Sequence, residues 1–192
     1  MNSSNFLSPI RCAISLLLTF TVLLGGIYPL LVTAISAVAF NDKAEGSLIT
    51  NNEKVIGSHL LGQEFTAAKY FWGRLSAHHY DTMESGGSNL SPANPKLLEA
   101  VNARVTALKK ADPKNKAKIP VDLVTASASG LDPHISLLAA EYQIERIATA
   151  RGIKPDEVQA VITDHIDWQS QILGSPYVNV LELNLALNGM KK

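Results

Sequence analysis

The stretch CAISLLLTFTVLLGGIYPLLVTAISAVAF, residues 12–40, decides how the rest of the chain is read. No charged side chain occurs between Arg11 and Asp42. About 20 such residues suffice to carry a helix across a bilayer. A cleaved signal peptide has an apolar region of only about 7–15 residues, although AVA at Ala37–Ala39 has the small-residue look of a cleavage site. The run is too long for that reading, so a retained anchor over residues 12–37 is expected. Pro29 removes a helix hydrogen bond and invites a kink. With Gly25, Gly26 and Tyr28 beside it, the segment is expected to pack against partner helices, small residues allowing close approach in lipid. A plain tether is the simpler alternative.

Working outward, residues 1–11 carry Arg11 and the amino terminus but no acid. The positive-inside rule therefore keeps this tail cytoplasmic and places residues 38–192 outside. The chain has 17 basic and 17 acidic side chains and no basic block, which excludes the electrostatic footprint of a nucleic-acid binder. The lone Cys12 leaves no internal disulfide and no cysteine-rich metal site.

Beyond the anchor, GSLITNNEKVIGS is predicted to form two strands about a turn, with Asn51 and Asn52 suited to left-handed backbone. AAKYFWGRLS is predicted as a further strand, and residues 77–94 as a long loop. NPKLLEAVNARVTALKKAD is an amphipathic helix with Asn94 as N-cap, Pro95 at its first position and an apolar stripe of Leu97, Leu98, Val101, Val105 and Leu108. Residues 121–129 read as extended. A second helix is expected from an Asp132 cap through Pro133, with Ile135, Leu138, Ala139 and Tyr142 on one face and Gly152 as the stop. A third begins near Pro155, using Val158, Val161 and Ile162. Residues 177–188 fit a helix better than a strand. The predicted fold class is a single N-terminal transmembrane helix followed by an α+β extracytoplasmic domain.

Chemistry could sit in two places. In DLVTASASGLDPHIS, residues 122–136, Thr125, Ser127 and Ser129 would share one face of a strand ending at the Asp132 cap and His134. Backbone N–H groups converging there could bind an anion, but an Asp132 cap would accept them itself, which favours a structural corner or a partner-contact surface. In ESGGSNLSPANP, Ser85, Gly86, Gly87, Ser88 and Asn89 could form an anion-binding nest or simply a glycine turn. This loop is loosely like the LSGGQ signature of ABC-class ATPases, yet the chain has no GxxxxGK[ST] phosphate loop. His78, His79 and His134 show no zinc spacing, so no metal is expected. A GxSxG elbow is absent.

The motifs GGIYPLLVT, VIGSHLLGQEF, YFWGRLS, SGGSNLSPANPKLL, DLVTASASGLDPHIS and VNVLELNLAL, in this order over nearly the whole chain, resemble the C-subunit (KdpC) family of bacterial Kdp potassium-transporting ATPases. Leu75 departs from the family's usual proline in RPS, and Ala128 from its glycine in ASGSG. The resemblance implies a non-catalytic accessory subunit in the bacterial inner membrane. Its partners would be a potassium-channel-like subunit and a P-type ATPase subunit, with room for a small fourth subunit, and membrane lipid. It also implies a chaperone that raises the pump's affinity for ATP, with SGGSN as nucleotide contact and no stably bound cofactor. The charge-based topology puts that loop outside the cell, so an indirect effect through the complex is expected, with the domain capping the channel subunit. The rivals are a membrane-anchored extracytoplasmic hydrolase using His134 or the His78–His79 loop, and a phosphate-ligand-binding module.

Overall fold

The computed structural model describes residues 4–51, 53–168 and 174–189. The chain divides into two compact units, Met1–Ser47 and Leu48–Lys192.

The first unit is helical: α1 (Ser4–Val22), a π-helical turn (Leu23–Ile27), α2 (Tyr28–Ala39) and the single turn α3 (Asn41–Ala44). The segment Ser8–Ala39, 32 residues, is long and apolar enough to cross a membrane. The helix widens ahead of Pro29. Tyr28 N–H reaches back to the Leu23 carbonyl, a five-residue step. Pro29 has no N–H for the carbonyl one turn earlier, and its ring would collide with it. The wide turn at Gly25 and Gly26 relieves both problems and lets Pro29 start a new segment in the first turn of α2, where an N–H is not required.

The second unit opens with the hairpin β1 (Leu48–Asn51) and β2 (Lys54–Ser58), with a bulge between Ile49 and Thr50. Asn51 lies within β1, and among the described residues of the turn it is Glu53 (φ 63°) that takes left-handed backbone, not Asn51. Asn52 lies outside the described residues. Helix α4 (Pro95–Ala111) begins as predicted: the Asn94 side chain accepts the Lys96 N–H at 3.0 Å. Of its apolar stripe, Leu108 is buried while Leu98 stays exposed.

The segment 121–129 is not extended. Val121–Leu123 forms a 3-10 turn, Thr125 folds back on the Val121 carbonyl through both N–H and Oγ1, and one parallel bridge joins Ala126 to Leu75. No helix starts at Pro133 either. The Asp132 carboxylate accepts the His134 N–H two residues on, at 2.9 Å, and this local turn delivers His134–Ser136 as strand β3. Ser136 then takes the capping role expected of Asp132, accepting the Ala139 N–H at 3.1 Å to start α5 (Leu137–Glu141). Leu138 consequently points outward, 69% exposed. Next come α6 (Ile144–Arg151), stopped by Gly152 at φ 67°, and α7 (Pro155–Asp164), where the Glu157 side chain accepts the Lys154 N–H. Strands β4 (Ile166–Asp167) and β5 (Tyr177–Asn179) follow, then α8 (Val180–Gly189). The tail is thus one short strand running into a helix. The sheet has β5 at its centre, antiparallel to both β3 and β4.

The core gathers Phe71, Leu108, Leu123, Ile135, Ile147, Val158, Ile162, Val178, Leu183 and Leu187. Through it passes the segment predicted as a strand, which among the described residues pairs with no strand beyond the Leu75–Ala126 bridge. Its main chain is held by side chains instead. The carbonyls of Ala68 and Tyr70 accept from Arg146, that of Lys69 from Arg151, and that of Phe71 from Asn184. Those of Trp72, Gly73 and Arg74 accept from Gln143, Arg104 and the Tyr80 hydroxyl. Asn184 and Gln143 also accept the N–H groups of Phe71 and Trp72, at 2.7 and 2.8 Å. Buried main-chain groups must be paired, and two buried amides here do what a neighbouring strand would do. The guanidinium groups of Arg104 and Arg146 both stand over the Trp72 ring, 5.1 and 4.5 Å from its centroid. Burial pulls Arg146 down to about 10, which leaves it charged at neutral pH.

Candidate functional site

The two sequence candidates, residues 84–89 and 122–136, meet in space. DLVTASASGLDPHIS closes on itself, because the Asp122 carboxylate accepts the Ser136 N–H at 2.8 Å. At its tip the Ser129 carbonyl accepts both the Gly86 N–H, at 2.8 Å, and the Ser85 hydroxyl, at 3.1 Å. Gly130 has φ 70°, and a Cβ there would stand 2.6 Å from the Gly86 carbonyl oxygen. A Cβ on Gly87 would come within 3.1 Å of the Ala128 carbonyl oxygen. The glycines in both motifs therefore allow two backbones to touch.

The hydroxyls do not line one face. Ser127 is buried and its N–H bonds the Leu75 carbonyl, Thr125 is bonded to Val121, and the Ser129 hydroxyl accepts the Leu131 N–H at 3.1 Å. Ser88 lines an apolar groove against Leu90 and Leu97, and Asn89 sits at φ 50°. The Gly86 N–H, which a nest would aim at an anion, is committed to Ser129.

Asp132 anchors the other side of the corner. Its Oδ2 pairs with Arg74 Nη1 at 3.0 Å, and the His134 ring nitrogen stands 3.5 Å from Oδ1. Burial would raise the Asp132 carboxyl, but hydrogen bonds from the side chain and backbone of His134 and from Arg74 outweigh it and hold the group below its usual value. His134 packs on Tyr177, ring centroids 4.3 Å apart. Gly62 closes the corner from below: its N–H bonds the Leu131 carbonyl at 2.8 Å, and a Cβ would meet the Asp132 carbonyl oxygen at 2.7 Å. Among the described residues, no three His, Cys, Asp or Glu side chains are placed to share a metal ion. His78 instead pairs with Glu84 at 3.1 Å. In the helical unit, a Cβ on Gly25 or Gly26 would meet nothing within 4 Å, and Tyr28 is exposed.

The sequence reading missed Arg74, Tyr80, Arg104, Gln143, Arg146 and Asn184. A signal existed for one of them: Asn184 is an uncharged amide in the largely apolar run LELNLAL.

From the residues up, this is a module with, among the described residues, one helix long and apolar enough to cross a membrane, and a small α+β domain whose signature loops pack on one another. The profile of the family described as "KdpC: K+-transporting ATPase, c chain" matches residues 10–189. Proteins named potassium-transporting ATPase KdpC subunit are similar along the full length. That of Herpetosiphon aurantiacus is 52% identical over 185 residues, 94% of this chain and 96% of its own. That of Sorangium cellulosum is 52% identical over 189 residues, 96% of this chain and 100% of its own. That of Dechloromonas aromatica is 50% identical, with 95% and 98% covered. The chain belongs to the KdpC family.

Proposed function

We propose that the chain is a non-catalytic accessory subunit of an ATP-driven potassium uptake complex in the bacterial inner membrane. It is held by the helix Ser8–Ala39 with residues 1–11 in the cytoplasm, and its α+β domain faces outward. The observation that carries this reading is the match to proteins named as subunits of that ATPase, which runs through apolar helix and domain together. One uncharged helix cannot form an ion pathway by itself, so ion selection belongs to partner subunits. The domain caps the channel-like subunit and stabilises the assembly. ATP affinity of the P-type subunit is raised indirectly, because the Gly86 N–H and the Ser85 hydroxyl already bond Ser129.

The test is sidedness combined with assembly. Protease added to intact spheroplasts is expected to cleave the domain, and mild detergent extraction with the full chain as bait is expected to bring down larger membrane subunits. Cleavage only after lysis refutes the outward orientation and reopens direct ATP contact. A clean monomer in mild detergent refutes the accessory role.

A further inference from the structure

A cavity of about 130 Å³ lies between the turn after β2, the RLS segment and α4, lined by Glu64, Thr66, Arg74, Ser76, Tyr80 and Arg104. Its wall is built at a conformational cost. His79 and Tyr80 are consecutive non-glycine residues at φ 53° and 59°, a backbone state worth about 1–3 kcal/mol of strain per residue. The Ser76 hydroxyl holds the pair in place by accepting the N–H groups of His78 and Tyr80, at 3.3 and 2.9 Å, while the Tyr80 hydroxyl donates to the Arg74 carbonyl at 2.6 Å.

Two guanidinium groups face this space with unequal compensation. Arg74 pairs with Asp132, yet its Nε–H is buried and donates to no protein atom. Arg104 uses Nε on the Leu123 carbonyl and Nη2 on the Gly73 carbonyl, at 3.0 and 2.8 Å. No carboxylate stands within ion-pair distance of it among the described residues. Burial lowers its pKa accordingly, with Tyr80 and Glu64 pulling the other way. Arg104 is half-buried, and a partly desolvated cation without a counterion is costly.

We infer that the Arg74–Arg104 cavity is a binding site for a small monovalent anion, in the size range of chloride to formate. The space, about 130 Å³, is ample for one small ion with its remaining water. Glu64, exposed on the rim, is the charge that competes with the anion. The bound ion would tie the RLS segment to α4.

The test uses the full chain in neutral detergent, with sodium gluconate exchanged for sodium chloride or sodium formate at constant ionic strength. Either small anion is expected to raise the thermal midpoint saturably, and Arg104→Gln is expected to abolish the response. Because that variant loses two carbonyl contacts and can fail to fold, Glu64→Gln is the second arm. Removing its negative charge from the rim is expected to tighten the apparent dissociation constant by about 3- to 10-fold. A midpoint indifferent to both anions, a response equal to that in gluconate, a folded Arg104→Gln that still saturates, or an unchanged constant in Glu64→Gln overturns the assignment and leaves water as the occupant.

Discussion

Replacing Gln143 tests the claim that side chains stand in for a strand around Trp72. Gln143 is 1% exposed and bonds the Trp72 N–H, the Trp72 carbonyl, the Ala139 carbonyl and Arg146. Leucine keeps most of the volume, so no large cavity opens, but it leaves the Trp72 N–H, the Trp72 carbonyl and an Arg146 donor without this partner. At about 1–3 kcal/mol for each of the three buried groups left unsatisfied, Gln143→Leu is expected to cost about 3–9 kcal/mol. For a domain of this size that is roughly 10 °C or more in the unfolding midpoint. Thermal unfolding of the full chain in detergent, followed by near-UV circular dichroism and tryptophan fluorescence, reads it directly. The chain has only two tryptophans, and Trp72 is the buried one. A midpoint lowered by less than about 2 °C would show that water or a shifted main chain meets these groups as well as the amide does, and the argument would fail.

Gly130→Ala puts a Cβ against the Gly86 carbonyl and into left-handed backbone. It should destabilise the domain by about 2–4 kcal/mol and raise amide exchange at Gly86; an unchanged exchange rate there counts against the loop contact. Asp132 has a folded-state pKa below its unfolded one, so its contribution is complete above about pH 4 and is lost as pH falls through the lower folded value. Asp132→Asn should therefore lower stability at neutral pH and shrink the loss on acidification below about pH 4, as seen in urea unfolding across pH; an identical acid limb would contradict this. Asn94→Ala removes the cap on Lys96 and should cost about 1 kcal/mol, measurable as a shifted urea midpoint with unchanged slope.

Local signals were legible wherever the chemistry is local. The apolar run, the Asn94–Pro95 start of α4, the Gly152 stop and the Pro155 start of α7 all depend on neighbours within one turn. Errors came where a distant partner competes with the local pattern. Asp-Pro at 132–133 reads as a helix start, yet pairing of His134–Ser136 with Tyr177–Asn179 moves the cap to Ser136. YFWGRLS has strand composition, but its partners are amides 71 and 113 residues away, which no periodicity reveals. The Ser–Gly motifs stood out by composition. Their contact with each other rests on tertiary packing that spacing does not encode.

The side-chain-held run from Ala68 to Leu75 also bears on self-association. An ordinary strand at this place would be one member of a sheet, and a sheet ends in a row of open main-chain groups that another copy can extend. Gln143, Asn184, Tyr80 and three arginines instead take up its carbonyls from Ala68 to Arg74. The most strand-like hydrophobic sequence in the domain thereby has those acceptors, and the N–H groups of Phe71 and Trp72, committed within its own fold rather than left for a neighbouring molecule.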